Sequence, residues 1–503
     1  MRLMFAVRFA AVAAVMGAPT LQVQPSGSAT LCRLYDNGEQ NLRQGNYAEA
    51  LKDFNLVATG CPVEETKAQA WLRIGEIDLA QTPPLLKEAR IAAEEIIAKY
   101  AEAPSAGFGF VLRGRAGLVE RSPNSLLAAL KDFARVSPAV FPGSAALPAA
   151  LFYSGEASRL SNDPDQAISR YRDVALRYPA SEWNAKALLG IAKCYARFGE
   201  TNDLAMQALQ RVRTDFVGTK EAVQALNEAT ILYRLNIKAP TQPLYAFTGQ
   251  VLGGTARPFR DVAGIVVDAA GQIMVADRDA LAIFGPDGSA VRTVTYNGAP
   301  GAIGRAANGS LAIGRADLLT IEGASAAAPL QLNLAQPPAP PRPAQITALA
   351  ATWRGDWLVG DDRTKEVHRF DPAGASLGRL VLASGPRIAI NGLDEIAVLD
   401  QDTKNIKVFS REGDLRATVE RRTGQYELAS PVDLAFDSLD NLYVLDRGQA
   451  AVLVFDPQRR FRRTFTVAAK APGAFRKPSA FAVDRAGRLY IFDEDAHAVL
   501  VFQ

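Results

Sequence analysis

The chain has 503 residues, of which 48% are hydrophobic and 22% are charged. A single hydrophobic core rarely extends over such a length, so we expect two or more domains in an ordinary folded protein. The formal net charge is +3, from 56 Lys and Arg against 53 Asp and Glu residues. Binding to nucleic-acid phosphates requires a clustered surplus of positive charge, so this balance argues against a nucleic-acid partner.

Residues 1–30 have the pattern of an export signal followed by a short leader. Arg2 and Arg8 precede an apolar run at positions 9–16 that is too short to span a bilayer. The pattern predicts a cleaved secretory signal, with a buried N-terminal helix as the alternative. The bulky Leu31 before Cys32 disfavours lipid attachment. No later segment reaches the roughly 18 apolar residues of a membrane-spanning helix, so we expect none in the mature chain. The signal predicts an exported periplasmic or extracellular protein.

The first recurring pattern along the chain is helical. Tyr47, Ala50 and Phe54 share one face of a helix, where the small Ala50 admits a neighbouring helix, and Pro62 ends the segment. The same small and large residues recur as Ala92 and Ile96, Ala129 and Phe133, Ala167 and Tyr171, and Ala205 and Leu209. Each of these segments follows another amphipathic segment, so the spacing predicts a series of helical hairpins.

These hairpins resemble tetratricopeptide repeats, whose signature reads Gly-x-Tyr-x-x-Ala-x-x-x-Phe, followed by Pro. Residues 45–62 match the signature well, the central copies are degenerate, and the series extends over residues 31–235. The segment 185–195 is similar to the variety found in bacterial envelope proteins. The resemblance implies an all-α solenoid at 31–238 whose groove binds a protein or peptide.

The three cysteines are consistent with export. Cys32 opens the first helix of the first hairpin and Cys61 closes the second, and these two ends of an antiparallel hairpin lie side by side. We therefore predict a disulfide, which stabilises the terminal hairpin by about 3 kcal/mol in the chain-entropy model. The alternative is two small buried apolar residues. Cys194 is left over on an apolar helix face, where we expect it to be inert.

A different pattern begins after residue 238, where short β-branched and aromatic runs replace the helical periodicity. In the clearest unit, residues 262–268, 271–277 and 280–284 form three predicted strands separated by Gly or Asp turns. An aspartate ends the second strand of each clear copy, and these residues are Asp277, Asp361, Asp400, Asp446 and Asp493. The repetition predicts a series of antiparallel meanders.

These units resemble NHL-type repeats, which are blades of a β-propeller. Five clear copies and a degenerate copy at 311–321 imply an all-β six-bladed propeller at 239–503. The last copy has three strands, so we expect residues 244–248 to supply its fourth strand and remove the open sheet edges. The proline-rich stretch 336–343 is expected to form a stiff surface loop between the second and third blades.

Some six-bladed relatives are enzymes that hold a metal ion in the central channel. The chain has two histidines, His368 and His497, which excludes a three-histidine zinc site within one chain. The repeated aspartates are candidate calcium ligands, but turn aspartates also accept backbone N–H groups, and we favour that structural role. Since no nucleophile, zinc or phosphate-loop motif occurs in a fitting context, we expect no catalytic residue, metal or cofactor.

One concentrated basic run, at 459–463, contains Arg459, Arg460, Arg462 and Arg463. It suits either a solvated hairpin, which we favour, or a surface that binds an anionic partner.

Both repeat folds expose broad surfaces suited to partner recognition. We therefore predict a non-enzymatic protein-binding scaffold of the bacterial cell envelope, in which the groove of the tetratricopeptide repeats and the propeller face each bind a protein or peptide. The alternatives are a calcium-dependent propeller hydrolase or lyase and a cell-wall or carbohydrate-binding module.

Overall fold

A computed structural model describes residues 26–81, 83–198, 201–239, 242–254, 258–296, 298–305, 311–315, 318–321, 330–331 and 345–503. Residues 1–25 of the predicted signal and leader at 1–30, and the proline-rich stretch 336–343, lie outside the described residues. Residues 26–30 of the predicted leader belong to the first helix. Among the residues described, no helix is long and apolar enough to cross a membrane.

The N-terminal part of the described chain is a row of eleven α-helices, each packed against the next, followed by a π-helical turn at Tyr233–Ile237. Ser122 and Asp163 each accept a backbone N–H group at the start of a helix, and a proline follows each cap. The helices are α1 (Ser26–Arg43), α2 (Tyr47–Gly60), α3 (Glu64–Ala80), α4 (Leu86–Lys99), α5 (Ala106–Glu120), α6 (Pro123–Arg135), α7 (Ala146–Leu160), α8 (Pro164–Arg177), α9 (Trp183–Arg197), α10 (Asn202–Asp215) and α11 (Lys220–Leu232).

The small and large residues of the repeat pattern lie in the core between these helices. Ala50 and Phe54 are fully buried, and so are Ala167 and Tyr171. The later small and large residues of the pattern are also buried, namely Ala92, Ile96, Ala129, Phe133, Ala205 and Leu209. The predicted helical solenoid is therefore confirmed. Tyr47 differs from the prediction, because it lies at the start of α2 and is exposed.

The predicted disulfide is present in the first hairpin. Cys32 in α1 is bonded to Cys61, which directly follows α2, and their Cα atoms are 4.9 Å apart. Because an end repeat has one neighbour, the cross-link stabilises the hairpin that is most prone to fraying. Burial raises the pKa of the Cys194 thiol in α9 to about 12, which keeps this cysteine protonated and unreactive.

The C-terminal part of the described chain folds into six four-stranded antiparallel sheets, the blades of a β-propeller. The strands of the first half are β1 (Phe247–Gly253); in blade 1, β2 (Gly264–Val267), β3 (Ile273–Asp277), β4 (Ala280–Phe284) and β5 (Ala290–Thr295); in blade 2, β6 (Ala302–Arg305), β7 (Leu311–Arg315), β8 (Leu318–Ile321) and β9 (Leu330–Gln331); and in blade 3, β10 (Ile346–Ala351), β11 (Trp357–Asp361), β12 (Glu366–Phe370) and β13 (Ser376–Leu382). The strands of the second half are, in blade 4, β14 (Arg387–Ile390), β15 (Ile396–Leu399), β16 (Ile406–Phe409) and β17 (Leu415–Val419); in blade 5, β18 (Pro431–Phe436), β19 (Leu442–Asp446), β20 (Ala451–Phe455) and β21 (Phe461–Thr466); and in blade 6, β22 (Pro478–Val483), β23 (Leu489–Asp493) and β24 (Ala498–Phe502), joined by β1.

Blade 6 takes its fourth strand from the other end of the propeller sequence. β1 pairs antiparallel with β24, and Val251 lies opposite Leu500. The predicted closure is confirmed, but the strand covers Phe247–Gly253 and therefore begins three residues after the predicted start at residue 244. The reason is that Leu244 and Tyr245 are buried in a core shared with the helical domain.

The aspartate at the end of each second strand anchors the segment that leads into the same blade. Asp446 accepts the N–H groups of Ala429 and Ser430, which precede β18, at 2.7 and 3.1 Å. Contacts of the same kind are made by Asp277, Asp361, Asp400 and Asp493. These contacts give the repeated aspartates a structural role. Within the described ranges, no three His, Cys, Asp or Glu residues are grouped as metal ligands would be.

The helical domain and the propeller share one hydrophobic core. This core extends from α8–α11 through Leu244 and Tyr245 to blades 5 and 6. A Cβ atom at Gly487, in the first turn of blade 6, would lie 2.6 Å from the Ile231 side chain of α11, and Gly487 has a φ of +72°. Both the close approach and the left-handed backbone require glycine at this position. The shared core thus packs the last helix directly against a blade.

A buried polar chain crosses the same junction. The Arg234 guanidinium lies 4.2 Å from the centroid of the Tyr245 ring and donates to the Gly487 carbonyl at 2.9 Å. The Tyr245 hydroxyl donates to that of Tyr443, which donates to Asp437 Oδ2, both at 3.1 Å. Burial raises the pKa of the Asp437 carboxyl to about 6, in spite of these hydrogen bonds.

Asp437 makes the stability of the fold depend on pH. Its folded pKa lies above the value of about 4 in unfolded chains, so the folded state holds the proton more tightly. The stability that folding gains from this tighter proton binding is complete below pH ~4 and is lost as the pH rises through ~6. The wild type loses this contribution as the pH rises from ~4 to ~7, whereas an Asp437→Asn variant has no proton to lose. We therefore expect the free energy of unfolding of the variant, measured relative to the wild type, to increase by roughly 2 to 3 kcal/mol over this pH range. Denaturant unfolding of both proteins across this range measures the gain, and a constant difference between them would contradict it.

Candidate functional site

Two adjacent cavities lie where the helical domain faces the propeller. The larger has a volume of about 620 Å³ and lies between the carboxyl ends of α5, α7 and α9 and the turns of blades 4 and 5. We call it the arginine cleft, because its lining includes Arg121, Arg159, Arg197, Arg411, Arg416 and Arg459. The smaller, of about 350 Å³, lies against α3, α5 and α7, and we call it the helical groove.

Arg121 joins the end of α5 to blade 4. Its Nη1 lies 2.9 Å from Asp394 Oδ2, and its guanidinium lies 5.0 Å from the centroid of the Trp353 ring. Asp394 also accepts the N–H group of Trp353 at 2.9 Å. The side chains of Arg121 and Asp394 are only 10% and 2% exposed. Loss of either partner would therefore leave a buried charge uncompensated.

Glu395, the next residue along blade 4, holds two further arginines of the cleft. Its Oε1 lies 3.1 Å from Arg197 at the end of α9, and its Oε2 lies 2.7 Å from Arg459 in the turn between β20 and β21. One carboxylate thus bridges the two domains and serves two guanidinium groups. This set of three side chains keeps a net positive charge.

Propeller side chains also cap the carboxyl ends of two helices. Arg411 donates to the carbonyl of Glu120, the last residue of α5, and Gln458 donates to the carbonyl of Arg197, the last residue of α9. The last carbonyls of a helix have no partner within the helix and carry partial negative charge, so donors and cations are favourable there. These bonds fix the distance between the helix ends and the turns, and thereby the walls of the cleft.

The lining of the cleft is basic. Among its lining side chains, the six arginines face two acidic residues, Glu395 and Glu412. Arg121 and Arg159 also pair with Asp394 and Glu156, which lie beside the lining and offset part of the charge. Burial lowers the pKa of Arg121, Arg411 and Arg459, and a neighbouring arginine lowers the pKa of each of them as well. Ion pairs with Asp394 and Glu395 oppose this effect. The arrangement therefore favours a ligand that brings negative charge.

Some turns that face the cleft have a charged residue where the same turn of other blades has a glycine. In the turn between the first and second strands, blades 1, 3 and 6 have Gly271, Gly355 and Gly487 with positive φ, whereas blades 4 and 5 have Asp394 and Asp440. A non-glycine residue in the left-handed region costs roughly 1–2 kcal/mol. The replacements therefore need a compensating contact, which Asp394 finds in Arg121.

The turn between the third and fourth strands shows the same replacement. Blades 1, 3 and 4 have Gly288, Gly374 and Gly413 with positive φ, and blade 5 has Arg459 with a φ of 67°. Arg459 pairs with Glu395 in the cleft. Aligning the blades in the sequence alone could have revealed these exceptions.

The two end residues of the basic run at 459–463 have neither of the predicted roles, a solvated hairpin or a surface for an anionic partner. The Arg459 side chain is 4% exposed and is part of the cleft. Arg463 donates to the carbonyls of Arg234 and Lys238, both at 3.0 Å, which follow α11. Arg463 therefore binds the helical domain of its own chain, whereas Arg460 and Arg462 pair with Asp456 in the same hairpin, where their side chains are 54% and 31% exposed.

The other residues considered in the sequence lie away from the two cavities. Cys32 and Cys61 lie in the terminal hairpin, whereas His368 lies in β12 and His497 in the turn before β24. Of the residues that line the cleft, Arg459 alone belongs to a motif that the sequence marks as a candidate binding surface.

The helical groove is apolar and receives an aromatic side chain from the propeller. Leu118 and Phe152 line it from α5 and α7, and Trp353, which is 52% exposed, lines it from blade 3. A polar pair, Arg115 and Glu76, lies in the lining with a separation of 2.6 Å. The volume of about 350 Å³ falls within the range of ligand pockets, roughly 300–1,000 Å³. The groove can therefore take large apolar side chains.

Comparisons with known proteins identify the helical repeat. A model of the tetratricopeptide repeat matches residues 149–181. Among curated proteins, none matches this chain. Similar solved structures include a virginiamycin B lyase from Staphylococcus aureus, at 14% identity and a TM-score of 0.38, covering 49% of this chain and 82% of that one. They also include a gluconolactonase from Xanthomonas campestris, at 14% identity and a TM-score of 0.39, covering 53% of this chain and 98% of that one. A luciferin-regenerating enzyme is similar at 13% identity and a TM-score of 0.40, covering 52% of this chain and 94% of that one.

The chain is thus a protein of two repeat folds. Specifically, it fuses a tetratricopeptide-repeat domain to a six-bladed β-propeller.

Proposed function

We propose that this protein is a non-enzymatic scaffold of the bacterial cell envelope that binds protein partners. The observation that carries the proposal is the helical groove, a concave apolar surface to which both domains contribute. Grooves of helical repeats bind peptide segments through large apolar side chains, and the exposed Trp353 offers such a segment an aromatic contact. The remaining surface of the propeller binds a second partner in this proposal.

Two further observations support it. The Cys32–Cys61 disulfide suits an oxidising compartment outside the cytoplasm, where such bonds persist. The repeated aspartates accept backbone N–H groups, which supports a scaffold over the calcium-dependent hydrolase.

The groove is tested with two variants at exposed residues of its lining. Ala80 is exposed at the end of α3 and lines the groove, so Ala80→Glu introduces a charge there. Trp353→Ala removes the aromatic contact. The matched control is Leu176→Glu, since Leu176 is 76% exposed on α8 and does not line the groove.

We expect each groove variant to reduce partner capture by about tenfold or more, because a central aromatic or apolar contact dominates such interfaces. The measurement is quantitative mass spectrometry of proteins that co-purify with the full chain from the envelope fraction after cross-linking. Leu176→Glu should capture the same proteins as the wild type. Capture that is equal in all four proteins would overturn the groove as the binding site.

A further inference from the structure

We propose that the arginine cleft binds a small multivalent oxyanion, a ligand with two or more carboxylate or phosphate groups. This inference goes beyond the scaffold function and does not depend on it. The ligand is held between the two domains, since each of them supplies arginines to the cleft.

The geometry of the cleft suits such a ligand. Arg121, Arg159 and Arg197 come from the helical domain, and Arg411, Arg416 and Arg459 come from the propeller. The planar guanidinium group donates two parallel hydrogen bonds that match the oxygen spacing of a carboxylate or phosphate. The volume of about 620 Å³ lies in the range of small-molecule sites, roughly 300–1,000 Å³, which favours a small ligand.

The arginines of the cleft have more donors than the described side chains satisfy. Arg121, Arg197 and Arg411 already donate to Asp394, Glu395 and the Glu120 carbonyl. Each of four guanidinium groups has in addition a buried nitrogen without a hydrogen-bond partner among the described residues, and these atoms are Arg121 Nε, Arg159 Nε, Arg197 Nη1 and Arg411 Nη1. Such nitrogens also occur in Arg315 and Arg369, away from the cleft, so the proposal rests on the charge and the volume of the cleft.

Two turns at the cleft also depart from the glycines of other blades. Arg459 and Asp394 occupy left-handed turn positions that other blades fill with glycine. Left-handed residues other than glycine also occur in turns away from the cleft, at Lys365, Lys404, Ala450 and His497, so the conformation alone does not mark the site. What distinguishes Arg459 is that its charge lines the cleft.

The test is isothermal titration calorimetry on the full chain at constant ionic strength, with inorganic pyrophosphate and citrate as probes. Two variants remove charge from the cleft: Arg416→Gln changes an exposed side chain, whereas Arg459→Gly removes a buried partner of Glu395, so thermal unfolding of this variant is measured before the titration. Arg416 has a 60% exposed side chain, so Arg416→Gln leaves the core intact. Arg459→Gly installs the residue that other blades use in this turn. The matched control is Arg379→Gln, because Arg379 is 52% exposed in blade 3 and does not line the cleft.

We expect saturable binding of pyrophosphate or citrate that weakens about tenfold or more in each cleft variant and is unchanged in Arg379→Gln, since a charge-assisted hydrogen bond is lost. An oligo-aspartate peptide serves as a third probe that distinguishes the source of the oxyanion. Binding of the peptide without binding of either small anion would overturn the assignment of a small ligand. Absence of binding, or equal binding by the wild type, the cleft variants and the control, would overturn the site itself.

Discussion

Replacement of Asp394 by glycine is expected to lower the free energy of unfolding by about 3 kcal/mol, even though three other blades have glycine at this position. The backbone gains from the change, because glycine relieves a left-handed conformation worth about 1 kcal/mol. The side chain loses more, because the buried Arg121 guanidinium is left without its carboxylate, which costs about 3–5 kcal/mol. The loss exceeds the gain, so the variant is less stable.

The control for this prediction isolates the backbone effect. Ala450 in blade 5 has a φ of 47°, and its side chain has no charge to lose. Ala450→Gly should leave the stability unchanged or raise it by up to about 1 kcal/mol.

The interaction between Arg121 and Asp394 is measured by denaturant unfolding of Asp394→Gly, Arg121→Met and the double variant. The double variant should lose less stability than the two single losses added together. An Asp394→Gly variant as stable as Ala450→Gly would contradict the importance of the ion pair.

Most of the fold could be predicted from the sequence because each repeat is specified locally. The spacing of Ala50 and Phe54 predicts a buried helix face, and the aspartate at Asp446 marks the end of a second strand. Repetition strengthens this local prediction, since a degenerate copy can be aligned with a clear copy of the same repeat. The closing strand β1 was predicted too early because Leu244 and Tyr245 have the apolar character of a strand but are buried at the domain junction.

The arginine cleft could not be predicted in the same way. Arg121, Asp394 and Arg459 are far apart in the chain and meet only because a helix end docks against two blade turns. No local periodicity states which helix end contacts which turn. The one available indication was a departure from the repeat, where an aspartate or arginine stands in a turn that elsewhere has glycine.

The repeat core and the cleft are connected through a partly buried carboxylate, Glu156. The Tyr171 hydroxyl donates to Glu156, which lies 2.8 Å from Arg159 at the edge of the cleft. Burial opposes the ionisation of Glu156, but the Arg159 guanidinium outweighs it, and the pKa falls to about 2. Packing in the core therefore positions a charge that lines the cleft.

Tyr171→Ala is expected to destabilise the protein by about 4 kcal/mol, because it removes a fully buried aromatic ring. The ring lies between two glycines, Gly155 of α7 and Gly190 of α9. A Cβ atom would lie 2.5 Å from the ring at Gly155 and 2.6 Å from it at Gly190. Helices α7 and α9 can therefore pack on both sides of Tyr171 only because each has a glycine there.

The same geometry predicts that the effect of Gly190→Ala reverses its sign with the residue at position 171. In the wild type, the added methyl group collides with the ring and should cost about 2 kcal/mol. In a Tyr171→Ala background the space is open, and alanine should stabilise α9 by up to about 1 kcal/mol through its higher helix propensity. Equilibrium denaturation of the four proteins in this cycle measures the reversal. A destabilisation by Gly190→Ala of equal size in both backgrounds would show that something other than the Tyr171 ring requires glycine at this position.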